Sequence, residues 1–401
     1  MQYRLDKKSN TELSVFGLGG MRLSKDFDVC RQMIVDAHEA GVNYIDTAYV
    51  YGGSEEMLGK CLEDTGLREK FHLATKLPIW MVKNPTDFDK FFSRSISRLR
   101  TNYIDYYLLH NLSSPNEVTK LCELGLEDWI TQKRESGEIR RLGFSFHGAQ
   151  KNFLDILEMR DWDFVLLQYN YSDPNYQAGI TGIRAAAAKG IPVIIMEPLL
   201  GGRLANALPK AAQELFRKEN PNRSFASWGL RWLYDQPEIT LCISGMGKRE
   251  FWLDNIATAK ESHVGMLTDE ERNVYVQVRK ILREKAKSDC TGCGYCMPCP
   301  KGVNIPGCLA AYNARYMNSY KSAFQQYFTN SSFVSEKSTA ASLCTGCRAC
   351  ERHCPQNIKI ADELKEVRRV VEPFWWSFAH RVFHSKKTKK FLEFFYKHKG
   401  I

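Results

Sequence analysis

Four side chains of this sequence could carry out proton chemistry together: Asp46, Tyr51, Lys76 and His110. An acid, a phenol, an amine and an imidazole make a sensible proton-donor set for carbonyl reduction. Hydride addition to a carbonyl produces an alkoxide, which needs a proton in the transition state. A phenol with a pKa of about 10 is a poor acid near neutrality. A neighbouring ammonium favours the developing phenolate by at most about 4 kcal/mol at contact in an effective dielectric of 20. Asp46 would hold Lys76 in place and partly offset that gain, and His110 could orient the carbonyl oxygen. Taken singly, each has a plainer reading: a loop cap, a surface aromatic, a solvated lysine, a structural histidine. A second chemistry lies in the thirteen cysteines, nine of which fall between Cys290 and Cys354. The opening MQYRLDKKSN has no apolar signal core. The clustering therefore points to metal ligation in a reducing, cytoplasmic setting rather than to disulfides.

The elements that must position the first set alternate in type. Apolar runs at 13–19, 42–46, 72–76, 103–110, 141–145, 164–169, 192–196 and 240–244 read as eight strands, several of them apolar throughout, as strands buried on both faces are. Amphipathic stretches such as 27–40, 85–100, 124–136 and 176–189 read as helices, and Gly41, Gly137 and Gly190 stand where a helix ends. The stretch 268–287 reads as a closing helix. Eight β/α units in about 280 residues argue for a (β/α)8 TIM barrel, with an open doubly wound sheet as the runner-up. The segment GLGGMRL lacks the third glycine and the following helix of a dinucleotide fingerprint. In such a barrel the site lies where strands end, and Asp46, Lys76 and His110 close the second, third and fourth candidate strands. The 401 residues, 44% apolar and 25% charged, exclude a disordered or collagen-like chain. No apolar run approaches the roughly 20 residues of a membrane span.

The segments IDTAYVYGGSEEMLG, LATKLP and DYYLLHN resemble the aldo-keto reductases over about residues 1–288. The resemblance implies a (β/α)8 barrel, a catalytic tetrad at Asp46, Tyr51, Lys76 and His110, and NAD(P)H bound across the barrel mouth to exchange hydride with a small carbonyl or alcohol. It implies coenzyme contacts from Gly20, Met21, Ser145, Gln168, Met196, Ser244, Asp254 and Asn255. Several positions depart from the family pattern. In GFSFHG, Phe146 replaces an asparagine that helps hold the carboxamide. Met196 stands where an aromatic commonly stacks on the nicotinamide. Gly245 and Phe251 replace a lysine and an arginine near the 2′-phosphate, for which Lys248 and Arg249 are the substitutes. The coenzyme is therefore open between NADP(H) and NAD(H), with a flavin as the rival.

Cys290, Cys293, Cys296 and Cys299 form C-x2-C-x2-C-x2-C-P, and Cys344, Cys347, Cys350 and Cys354 form C-x2-C-x2-C-x3-C-P. The second run is the bacterial ferredoxin motif. The segment resembles a two-cluster ferredoxin-like module. The resemblance implies two [4Fe-4S] clusters, one on Cys290, Cys293, Cys296 and Cys354, the other on Cys344, Cys347, Cys350 and Cys299. Zinc is the minor rival. The stretch 306–328 between the runs reads as a helix. A cubane moves one electron and NAD(P)H a hydride, so exchange between them calls for a converter such as a flavin. The second functional reading is accordingly a flavin-containing electron-transfer reductase with a one-electron partner. A third makes the clusters structural or redox-sensing.

Residues 373–401 hold nine aromatics and seven basic residues against one acid, so this stretch supplies +6 of the net +10. Its readings are a helix packed on the protein, which is favoured, and peripheral membrane contact or docking of an acidic redox partner. The remaining charge is too small for a nucleic-acid surface. The expected organisation is a barrel over 1–288, an iron–sulfur domain over 289–362 and a helical tail over 363–401.

Overall fold

The computed structural model describes residues 1–148, 150–292, 294–317, 320–331 and 338–376. The chain divides into two compact units: Met1–Ala205 with Phe216–Val276, and Asn206–Leu215 with the chain from Gln277 onward.

The first unit opens with an antiparallel hairpin, β1 (Tyr3–Asp6) and β2 (Thr11–Ser14). Eight parallel strands then close a barrel: β3 (Phe16–Gly19), β4 (Tyr44–Asp46), β5 (His72–Leu77), β6 (Ile104–Leu112), β7 (Ile139–Phe146), β8 (Phe164–Gln168), β9 (Val193–Met196) and β10 (Leu241–Ser244), with β10 bonded to both β9 and β3. All eight candidate strands are present. The first differs in extent, because the apolar run 13–19 is interrupted at Val15 and its start belongs to the hairpin. That hairpin was not anticipated. Buried Asp6 accepts a hydrogen bond of 2.8 Å from the Tyr106 hydroxyl near the start of β6, and Leu13 joins the barrel's interior cluster.

Strand periodicity of two sorts the side chains. Tyr44, Ala74, Leu108, Leu166, Ile194 and Leu241 fill the barrel interior. Their neighbours Ile45, Leu73, Leu109, Leu167, Ile195 and Cys242 pack outward in the core shared with the helices. This two-sided burial is why the strands read as continuous apolar runs. It also fixes what reaches the mouth. Two residues beyond an interior position lie Asp46, Lys76, His110, Gln168 and Met196. The helices Phe27–Glu39, Thr86–Leu99, Leu126–Glu135, Gly179–Ala188 and Asp269–Lys285 match the expected ones within a few residues.

In the second unit the stretch read as one helix is two, Ile305–Met317 and Tyr320–Asn330, which pack with Ile360–Val371 around a separate core. The helix Ile360–Val371 runs through the expected boundary at 362, and Leu364, Val367, Val371 and Trp376 are buried in that core, so the start of the supposed tail is part of this unit. Trp376 packs on Phe324, Tyr327 and Phe328, whereas Trp375 is 41% and Phe374 99% exposed. The rest of the tail, 377–401, lies outside the described residues. Among the described residues no helix is long and apolar enough to cross a membrane.

Candidate active site and iron–sulfur segment

The four residues singled out first meet at the C-terminal end of the barrel. The Lys76 ammonium lies 2.7 and 2.6 Å from the two Asp46 carboxylate oxygens and 2.6 Å from the Thr47 carbonyl. Both side chains are almost wholly buried, so burial pushes the Asp46 carboxyl up and the Lys76 ammonium down, while each partner's charge opposes the shift of the other. The same ammonium stands 4.9 Å from the centre of the Tyr51 ring. The His110 ring meets Tyr51 edge-on at 5.9 Å. Burial first, then the charges of Lys76 and His147, hold His110 well below the usual histidine range, so it is a neutral imidazole. Gly20 lies against this group: a Cβ there would sit 2.7 Å from the Ser54 hydroxyl and 2.8 Å from the Asp46 carbonyl oxygen.

The residues expected to contact a coenzyme are distributed unevenly. Ser145 faces inward near the end of β7, and its hydroxyl accepts from the Asn111 backbone N–H at 2.8 Å. Gln168 is buried at the next strand end, and Met196, half-buried, follows it in register. Phe146 is fully buried and points away from the mouth, edge-on to Phe153 in the helix layer. Ser244 and Asn255 are both buried; Asn255 Nδ2 reaches the Ser244 hydroxyl at 3.4 Å and the Met246 sulfur at 2.9 Å. Asn255 Oδ1 is buried with no hydrogen-bond partner among the described residues, which suits a missing donor. Asp254 accepts from the Ser224 hydroxyl at 2.6 Å. Met21 and Lys248 are exposed. Arg249 is already engaged: its guanidinium lies 2.9 Å from Asp36. Burial raises the Asp36 carboxyl, but hydrogen bonds from Arg249, Trp252 and Gln32 outweigh it and hold it below the usual range. Of the two proposed phosphate substitutes, Lys248 is the one without so tight a commitment.

Two residues at this rim were not found from the sequence. Trp80, 39% exposed, places its ring 5.4 Å from that of His110. His147 is 5% exposed and continues the β7 ladder, its N–H bonded to the Leu112 carbonyl at 2.8 Å. Extending the seventh strand's alternation two residues past Ser145 would have found it.

In the second unit Asn313 pins the chain entering the first cysteine run, accepting from the Lys287 and Ser288 N–H groups at 3.0 and 2.9 Å and donating to the Ser288 carbonyl at 2.7 Å. Both runs begin Cys-Thr-Gly-Cys, and Gly292 and Gly346 adopt φ of +72° and +75° there. The residue after the second cysteine is again left-handed in each, Gly294 at +83° and Arg348 at +56°. Arg348 has a Cβ and so resists that conformation; ion pairs to Glu351 and Asp362 hold it. The turns lie where each loop must curl to face its thiols one way. Burial, and then nearby negative charges that include Cys299 and Cys344, push the Cys350 thiol up to about 11. Iron would remove the cost of ionising such a thiol. Cys344 accepts from the Gly346 N–H at 3.4 Å. Cys293 lies outside the described residues. Among the described residues no three His, Cys, Asp or Glu side chains are gathered as a single-ion site. Cys308 is fully buried in the unit's core.

A closed parallel barrel with a Lys–Asp pair, a tyrosine and a neutral histidine at its mouth defines an oxidoreductase scaffold. The chain belongs to the aldo/keto reductase family, whose model matches residues 15–271. A second match, to a 4Fe-4S dicluster domain, covers residues 289–359. Similar proteins include the uncharacterized oxidoreductase YqkF of Bacillus subtilis, 25% identical over 66% of this chain and 92% of that protein. The NADH-specific methylglyoxal reductase of Escherichia coli is 24% identical over 60% of this chain and 86% of its own length. The solved aldo-keto reductase AKR11C1 from Bacillus halodurans, in its holo form, shares the fold with a TM-score of 0.57 at 23% identity, covering 69% of this chain and 96% of that one. The protein is thus an enzyme that joins an aldo-keto reductase barrel to an iron–sulfur domain.

Proposed function

We propose that the barrel reduces a small carbonyl compound to the alcohol, or runs the reverse reaction, with NAD(P)H as hydride donor and Tyr51 as general acid. The observation that carries this reading is the buried Lys76 ammonium, clamped by Asp46 and standing 4.9 Å from the Tyr51 ring. The bound nicotinamide supplies the hydride; the chain supplies the rest. His110, neutral, can donate to the carbonyl oxygen without bringing a charge of its own. Tyr51 gives that oxygen its proton, and Lys76 stabilises the phenolate left behind. Asp46 keeps the ammonium in place at some cost to its field. Unpartnered Asn255 Oδ1 and the inward Ser145 hydroxyl fit a polar coenzyme. Tyr51→Phe should lower carbonyl reduction by about 10²–10⁴ while NAD(P)H still binds in a fluorescence titration. Near-normal turnover of that variant would sink the assignment.

We also propose two [4Fe-4S] clusters, ligated by Cys290, Cys293, Cys296 and Cys354 and by Cys344, Cys347, Cys350 and Cys299. The C-x2-C-x2-C-x3-C-P spacing of the second run and the dicluster match over residues 289–359 support this reading. Thiolate ligands of this number suit a reducing cytoplasm. No feature of the described residues favours a bound flavin.

A further inference from the structure

The chain enters its second cysteine run through a single helical turn, Ala341–Leu343. The Ala341 carbonyl accepts from the Cys344 N–H at 3.0 Å, so the placement of this turn sets where the first thiol of the run stands. At the start of a turn the N–H groups have no earlier carbonyl of the same helix to bond. Two side chains from elsewhere in the unit take those of Ala341 and Ser342. The Tyr327 hydroxyl accepts from Ala341 at 2.7 Å, and Glu372 Oε1 accepts from Ser342 at 3.2 Å. The same hydroxyl donates to the same carboxylate oxygen, which closes the contacts into one unit. Tyr327 belongs to the helix Tyr320–Asn330, and Glu372 caps the helix Ile360–Val371. Tyr327 is fully buried beneath Trp376, and the Glu372 side chain is 3% exposed.

A carboxyl at such a place costs more to bury than an amide that would accept the same bonds. At the entry to the first run the acceptor is the amide of Asn313. Burial pushes the Glu372 carboxyl up, while hydrogen bonds from Tyr327 and Ser342, and then the Arg368 charge, oppose that shift. Two donors on one oxygen and a guanidinium beside the other are the surroundings of a carboxylate rather than of a carboxylic acid. Arg368 reaches only to 4.0 Å and is itself 61% exposed, so it offsets the buried charge weakly. Ser342 is two residues, at most about 7 Å of chain, before Cys344.

We infer that Glu372 and Tyr327 are positioning residues for the second cysteine run, and that the Glu372 charge lowers the reduction potential of the [4Fe-4S] cluster proposed there. This rests on the reading of the two runs as cluster ligands. Reduction adds an electron to a group held by thiolates, and a fixed negative charge nearby opposes it, the more so where water is excluded. Tyr327 carries no charge, so the two side chains differ in what they do. Both hold the turn, and only Glu372 acts on the potential.

The test uses the full-length chain purified anaerobically. It measures iron and sulfide content, the rate of iron release to a chelator, and midpoint potentials in a redox titration followed by electron paramagnetic resonance. Glu372→Gln keeps an acceptor of the same shape and removes the charge. It should retain about eight iron atoms per chain, with the potential of one cluster moved in the positive direction and that of the other unchanged. Tyr327→Phe removes the acceptor for Ala341 and keeps the charge. It should leave both potentials in place and release the iron of one cluster several-fold faster than the wild type. The two variants are read separately, so the inference stays testable where one of them fails to fold. Unmoved potentials in folded Glu372→Gln overturn the inference, as does an equal shift of both clusters or iron release at the wild-type rate from folded Tyr327→Phe. A role in stability alone would lower the melting temperature of both variants and leave the potentials where they were. Wild-type protein with zinc and no sulfide overturns the cluster reading itself, and the inference with it.

Discussion

At the scale of single residues, the Asp46–Lys76 pair shows how much a few atoms decide. Both groups are removed from water, and their side chains are 3% and 1% exposed. Deleting one charge leaves the other buried without compensation, which typically costs about 3–5 kcal/mol, whereas replacing both with apolar groups costs far less. Asp46→Asn should therefore destabilise the protein by several kcal/mol in urea unfolding, and the Asp46→Leu, Lys76→Met double variant should recover most of that loss while remaining inactive. Equal destabilisation by single and double variants would mean that the pair is not acting as one unit. The pair was legible in the sequence because Asp46 and Lys76 stand at successive strand ends together with Tyr51 and His110, within segments that resemble the aldo-keto reductases. His147 was not, because the strand was taken to stop at Ser145. Phe146, which replaces an asparagine of the family pattern, faces the helix layer rather than the mouth. Arg249 has a pairing that the sequence does not show. A basic residue next to a helix start looks available for phosphate, and the sequence offers no sign that Asp36, more than two hundred positions earlier, holds it.

At the scale of elements, the barrel was readable since its strands are buried on two faces and its helices on one. Period and length then separate them without ambiguity. The hairpin at the start was hidden because its second strand merges into the first apolar run, and only the chain reversal at 7–10 divides them. The split of 306–328 into two helices was hidden for the opposite reason: both halves are rich in tyrosine and alanine, with no proline or glycine to mark the break. Close helix packing is a third feature that composition conceals. Gly59 lies on the helix Ser54–Thr65, where a Cβ would overlap the Arg98 carbonyl oxygen and stand 2.8 Å from the Leu99 carbonyl carbon. Alanine normally favours a helix over glycine by about 1 kcal/mol. Gly59→Ala should instead destabilise by roughly 1–3 kcal/mol, as overpacking does. Lys60→Ala, exposed on the same helix, should change stability by less than about 0.5 kcal/mol. Stabilisation by the alanine at 59 would show that the two helices can part at little cost.

At the scale of the whole molecule, two hydrophobic cores stand behind two chemistries, one around the barrel strands and one around the helices that follow Ile305. Separate cores predict separable losses. Cys347 is exposed and sits in the second cysteine run, away from the buried side chains of its unit's core, so Cys347→Ala removes a proposed ligand without opening a cavity. Anaerobically purified wild-type protein should contain about eight iron atoms per chain, as two cubanes require, and the variant should keep about four. Direct hydride transfer needs no metal, so NAD(P)H-dependent carbonyl reduction should persist in the variant at close to the wild-type rate. Reduction driven by a single-electron donor such as a viologen should fall. The two assays, run on the same preparation with its iron and sulfide content measured, separate the possible roles of the clusters. Stoichiometric zinc without sulfide in the wild type would remove the clusters from the account. Loss of hydride transfer in a variant whose barrel still unfolds cooperatively at the wild-type temperature would tie the iron to the barrel's own reaction. Retention of hydride transfer with loss of the viologen reaction would make the clusters a second point of electron entry on an enzyme whose proton chemistry is complete without them.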